Sequence, residues 1–114
     1  MGAVQGMPIC FDAKETARKS FPLQNIHAHQ IDFMSHFQRQ NGVAFLLVRF
    51  QVYDEIYFLP FEQLNFFWIK AEGGGRKSIP YDAMEKKYLV VSKQGAPVHY
   101  LEALATYMYE TNRR

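Results

Sequence analysis

A chain of 114 residues is long enough for one domain with a buried core and too short for two. Its 48% hydrophobic and 21% charged content excludes disorder for the body of the chain, and the single Cys10 excludes an internal disulfide or a cysteine-rich zinc site. A net charge of +2 does not by itself point to nucleic acid, and no apolar run reaches bilayer length or opens the chain as a signal peptide, so the expectation is a soluble, cytoplasmic protein whose chemistry must be argued locally.

In chain order, residues 9–15 alternate as a strand, with Ile9, Phe11 and Ala13 on one face and Cys10, Asp12 and Lys14 on the other. Residues 16–24, with Arg18, Lys19, Ser20 and Pro22, read as a loop. Ile26, Phe33, Met34 and Phe37 then fall at helical spacing, with the polar Gln30 inside the apolar stripe, and Asn41-Gly42 reads as the helix stop. Val43 to Phe50 is a strongly strand-forming run, expected to be a central strand buried on both faces; a turn near Tyr53-Asp54 leads to an antiparallel strand over residues 55–59, ended by Pro60.

Leu64, Phe67, Trp68 and Ala71 give one apolar helix face, stopped by Gly73-Gly74-Gly75. Pro80 opens a weaker helix-like segment through Lys87, residues 88–91 suggest a short strand, and Leu101, Leu104, Ala105 and Met108 mark a terminal amphipathic helix before a fraying tail at 112–114. Strands mixed with helices and a hairpin predict an α/β fold, a mixed β-sheet flanked by helices, as one domain over residues 1–114.

The sharpest chemical feature is Asp12-Ala13-Lys14, which sets a carboxylate and an ammonium on one face of a strand. Mg²⁺ takes one or two carboxylates with water and phosphate, so Asp12 and the Ala13 carbonyl suit metal ligation, while Lys14 suits charge stabilisation on a phosphoryl group; phosphodiester hydrolysis is the matching reaction. The same triplet also describes a solvated strand face with a weak ion pair.

The residues around it carry a resemblance. Phe11-Asp12-Ala13-Lys14-Glu15-Thr16, then Ser20-Phe21-Pro22-Leu23 and Asn25-Ile26-His27-Ala28-His29-Gln30, followed by Tyr57-Phe58-Leu59-Pro60-Phe61, Phe67-Trp68 and Gly74-Gly75-Arg76-Lys77-Ser78-Ile79, resemble the RecU family of Holliday-junction resolvases, also called penicillin-binding-protein-related factor A. The resemblance runs from about Gly2 through the terminal helix. It implies a restriction-endonuclease-like (PD-(D/E)XK) core, a homodimer, four-way DNA junctions as substrate and Mg²⁺ or Mn²⁺ as cofactor. It further implies that Asp12 and Lys14 are the acid and lysine of the (D/E)-X-K signature and that Gln30 is the helix glutamine near the active site.

The chain departs from the family in three ways. Cys10 stands where the family usually has Asp, and Asp12 where it usually has Glu. The family's second metal-binding Asp belongs to an Asp-Tyr-Asn-Gly segment whose Gly aligns with Gly2, so that ligand is expected just upstream of Met1, together with the family's N-terminal helix and stalk. Two expectations follow: a junction-resolving endonuclease, or a catalytically inactive junction-binding or structural remnant of the same fold.

Arg18, Lys19, Arg76 and Lys77 are candidate phosphate contacts, or ordinary solvated loop cations. His27 and His29, two apart on a helix, are expected to diverge and to cap or pack rather than bind zinc; Cys10 reads as a small hydrophobe without a base. The glycine run lacks the Gly-Lys-Thr/Ser continuation of a nucleotide loop, and helical spacing makes Trp68 a core residue rather than a base reader.

Overall fold

The computed structural model describes residues 2–4, 6–90 and 100–111. A main sheet is formed by β1 (Gly2–Val4), β2 (Met7–Thr16), β4 (Val43–Phe50), β5 (Glu55–Pro60) and β7 (Leu89–Val90), in the order β1-β2-β4-β5-β7. β2 and β4 run parallel, with Asp12 opposite Leu46 and Lys14 opposite Val48; the other pairs are antiparallel. A two-stranded ribbon joins β3 (Ser20–Pro22) to β6 (Ser78–Pro80), and three helices, α1 (Ala28–Arg39), α2 (Phe61–Glu72) and α3 (Leu101–Glu110), complete the mixed α/β arrangement.

β4 is central, as its composition predicts. Ala44, Leu46, Val48 and Phe50 face a core shared with Ile31, Met34 and Leu64 of α1 and α2, whereas Val43, Phe45 and Leu47 face one shared with Leu104, Tyr107 and Met108 of α3. A strand covered on both faces must be apolar throughout, which is why this run lacks alternation. The Asn41-Gly42 stop holds: Asn41 adopts φ 67°, a conformation asparagine tolerates, and Gly42 packs so closely that an added Cβ would lie 2.3 Å from the Phe37 ring.

Several expectations are corrected. The 16–24 segment is not simply a loop, because β3 pairs with β6 across it and a 3₁₀ turn follows at Leu23–Asn25. The helix-like segment from Pro80 is two 3₁₀ turns, Tyr81–Ala83 and Lys86–Tyr88. Ile26 is buried ahead of α1 rather than on it, and Phe33 is exposed. In α3 the buried stripe is Ala103, Leu104, Tyr107 and Met108, while Leu101 and Ala105 face outward. Val91 and the tail at 112–114 lie outside the described residues.

Among the described residues, β1 pairs only with Met7–Ile9, so the outer edge of β2 beyond Ile9 carries no ladder partner. The parity of that edge is fixed by hydrogen bonds. The Thr16 carbonyl accepts from Gln51 N–H at 2.9 Å on the β4 side, whereas the Ala13 N–H donates to Asp12 Oδ1 at 2.9 Å. Backbone polar groups alternate between the two edges of a strand, so the Ala13 carbonyl also faces the uncovered edge.

The 3₁₀ turns are pinned by a polar cluster. Glu55 accepts from Tyr57 Oη at 3.0 Å and from Tyr81 Oη, while Lys86 Nζ donates to both phenols at 3.0 Å. Hydrogen bonding from Tyr81, then from Tyr57, and the Lys86 charge hold the Glu55 carboxyl below the usual carboxylate range; burial, above all, pushes the Tyr57 phenol up to about 12. A lowered folded-state carboxylate contributes stability that is complete above the unfolded value of about 4.3 and is lost as pH falls through the folded value. Glu55→Gln is therefore expected to lower Tm at neutral pH and to flatten the fall in Tm below about pH 4.3, read by thermal melts across pH.

Candidate functional site

The structure brings Asp12, Lys14 and Gln30 together. Alternation along β2 puts Asp12 and Lys14 on the same face, where Lys14 Nζ lies 3.1 Å from Asp12 Oδ2. Gln30, in the first turn of α1, approaches the same oxygen with Nε2 at 3.4 Å and accepts the His27 N–H on Oε1 at 3.0 Å. That second bond fixes the amide, because the helix start supplies the donor that orients it. The half-buried polar residue in the α1 stripe therefore faces the only charged part of β2 on that side.

Asp12 is open to solvent, with 49% of its side chain exposed, and Lys14 is more enclosed at 22%. Beside them lies a cavity of about 300 Å³ walled by Cys10, Asp12, Ile26, His29, Gln30 and Phe33 among others. Burial pushes the Cys10 thiol up, which keeps it protonated and agrees with a packing role. The His27 and His29 rings do not diverge as expected: they stack at 5.5 Å, because His27 is the extended residue before α1 rather than part of its first turn.

As a cation site the cluster is a hard-oxygen half-site. Among the described residues no three His, Cys, Asp or Glu side chains converge to hold a metal. Asp12 and the edge-facing Ala13 carbonyl are two suitable donors, and Mg²⁺ accepts one or two carboxylates with the remainder from water and phosphate. The residues present therefore fit a divalent cation whose shell is completed by substrate, and Lys14 and Gln30 supply the adjoining polar groups.

The candidate phosphate contacts divide. Thr16, buried, donates to the Ser20 carbonyl at 3.0 Å and accepts the Arg18 N–H at 3.1 Å, which orders the turn that carries Arg18. Lys77 is tied to the Ala71 carbonyl at the end of α2, 2.9 Å away. Arg18 and Lys77 share the wall of a second cavity of about 480 Å³, which does not include Lys19 or Arg76; Arg76 donates instead to Ser78 Oγ at 3.0 Å. Sequence reasoning missed this cavity because the three-residue strands that shape it are too short to show a period, and because Trp68 in its wall was assigned wholly to the core.

The chain matches the family described as RecU, Recombination protein U, over residues 1–106. It is 41% identical over 105 residues to the Holliday junction resolvase RecU of Staphylococcus aureus strain MRSA252, and equally to those of strains JH9 and COL. These matches cover 90% of the chain and 50% of each relative, so the chain spans about half the length of the curated relatives it matches.

Proposed function

This chain belongs to the RecU family, and from that membership we propose that it is the part of a structure-specific DNA endonuclease that carries its (D/E)-X-K residues, acting on four-way junctions in recombination and repair. The observation that carries the reading is the approach of Gln30, from α1, to the Asp12–Lys14 pair that strand alternation sets on one face of β2. The proposed architecture is a restriction-endonuclease-like core in one domain over residues 1–114. It would act as a homodimer in the cytoplasm, whose two-fold symmetry matches paired nicks across a junction. Among the described residues no helix is long and apolar enough to cross a membrane.

In this reading Asp12 and the Ala13 carbonyl are the groups that would hold Mg²⁺ or Mn²⁺. When bound, the cation supplies Lewis-acid polarisation of the phosphoryl group. Lys14 stabilises the negative charge that builds as a water oxygen bonds to phosphorus and the phosphorus–oxygen ester bond breaks, leaving a phosphate monoester and an alcohol. Gln30 positions the Asp12 carboxylate and offers its amide to that water or to a phosphate oxygen. Arg18, Lys19, Arg76 and Lys77 neutralise neighbouring phosphates, a contribution that weakens with salt.

Among the described residues Asp12 is the one carboxylate at the site, which favours a second reading, a junction-binding remnant that does not cut. Incubating the chain with a labelled four-way junction and with linear duplex of equal length, in Mg²⁺ and in chelator, separates them. Metal-dependent nicks confined to the junction are the expected result; retention of the junction without nicking at any metal concentration supports the remnant, and no preference for the junction over duplex defeats both.

A further inference from the structure

The second cavity is built in layers. Its floor is the buried Leu23, Ile26 and Ala71; its walls are the half-buried Trp68, Ser20 and Ser78; its mouth is exposed and charged, with Arg18, Lys77 and Glu72. Trp68 is half-buried, packs against the main core and also lines this space, so the side chain is both anchored and accessible. At about 480 Å³ the cavity lies within the range of roughly 300–1,000 Å³ typical of small-molecule sites.

We infer that this cavity receives one unpaired nucleobase of the DNA substrate, stacked on Trp68, while Arg18 and Lys77 hold the flanking phosphates at the mouth. The chemistry selects a base rather than a phosphate as the occupant. An apolar floor with an aromatic wall suits a flat π system, the Ser20 and Ser78 hydroxyls suit its polar edge, and the Glu72 carboxylate accepts from an exocyclic amine while repelling an anion that enters deeply. Position supports the same occupant: Ile26 walls both this cavity and the smaller one containing Asp12 and Gln30, so a base lodged here belongs to a nucleotide near the scissile phosphate. Unpaired or easily unstacked bases are least costly to extrude where base pairing is already interrupted, as at a branch point, which gives the cavity a share in choosing structure over sequence. The inference rests on the nuclease reading above and adds a subsite to it.

Trp68 is the only tryptophan of the chain, so its emission reports this cavity alone. The full chain is titrated with a short single-stranded oligodeoxynucleotide and with an abasic strand of equal length and charge. Saturable quenching by the base-containing strand and none by the abasic strand is expected. In anisotropy with labelled strands, Trp68→Ala should weaken base-dependent binding by roughly tenfold while Trp68→Phe retains most of it. Arg18→Ala should weaken both strands alike, and melting curves check that each variant is folded. Equal quenching by the two strands, or emission that does not move while a four-way junction is still retained in a gel, overturns the base subsite and leaves the nuclease reading standing. If no nucleic acid binds under any condition, both fall.

Discussion

Asp12→Ala is expected to reduce Mg²⁺-dependent cleavage of a four-way junction by at least about a thousandfold, equivalent to about 4 kcal/mol of transition-state stabilisation. The size follows from the composition of the site: among the described residues Asp12 is the one carboxylate there, so its removal takes away the proposed anionic ligand and also the partner that holds Lys14 Nζ 3.1 Å away. Stability should hardly change, because the side chain is half exposed and surface substitutions of this kind stay within about 0.5 kcal/mol. Asp12→Glu tests the same idea from the other side. The longer side chain restores the acid usual in the family, and cleavage equal to or above that of the parent chain is expected. Initial rates of junction nicking, with a thermal melt of each variant, decide the matter; unchanged nicking by Asp12→Ala would remove Asp12 from the chemistry.

Phe58→Ala is expected to lower stability by about 3–5 kcal/mol, the largest effect anticipated for a single core substitution here. Phe58 is 1% exposed and joins a continuous aromatic stack, its ring 4.4 Å from Phe45, 5.3 Å from Tyr88 and 5.7 Å from Tyr107. Through those three rings one side chain of β5 links β4, the last 3₁₀ turn and α3. A domain of this size is stable by about 5–15 kcal/mol, so the loss is a large share of the total and should depress Tm by more than about 10 °C. Phe58→Leu, which keeps most of the volume, should cost about 1.5 kcal/mol or less. Chemical denaturation of the three chains gives the comparison directly, and a loss below about 1 kcal/mol for the alanine variant would mean that the stack rearranges to fill the space.

What the sequence made legible follows from interaction range. β4 and β5 are correct to within a residue because their composition and the short turn between them are local signals, and the stop at Asn41-Gly42 is likewise local. The β3–β6 ribbon is invisible locally, since Phe21 and Ile79 meet only after the chain has folded between them. In α3 the buried stripe was misplaced because Tyr107 was passed over: its ring packs on Phe58 while its hydroxyl donates to Glu62, a compromise that hydrophobicity alone does not anticipate. At the site, the shared face of Asp12 and Lys14 follows from strand alternation, whereas the approach of Gln30 was available only through family resemblance, because no local pattern states which residue of α1 lies against β2.

The bare side of β2 has a further consequence. Among the described residues that edge has no ladder partner beyond Ile9, and an unpaired strand edge is a template for self-pairing that proteins guard with charge. Here Asp12, Lys14 and Glu15 occupy that stretch, so two of the groups proposed for catalysis, Asp12 and Lys14, join Glu15 as gatekeepers against edge-to-edge association. Neutralising them alters the colloidal behaviour of the chain together with its chemistry, and sedimentation of the Asp12→Ala protein reads that second effect.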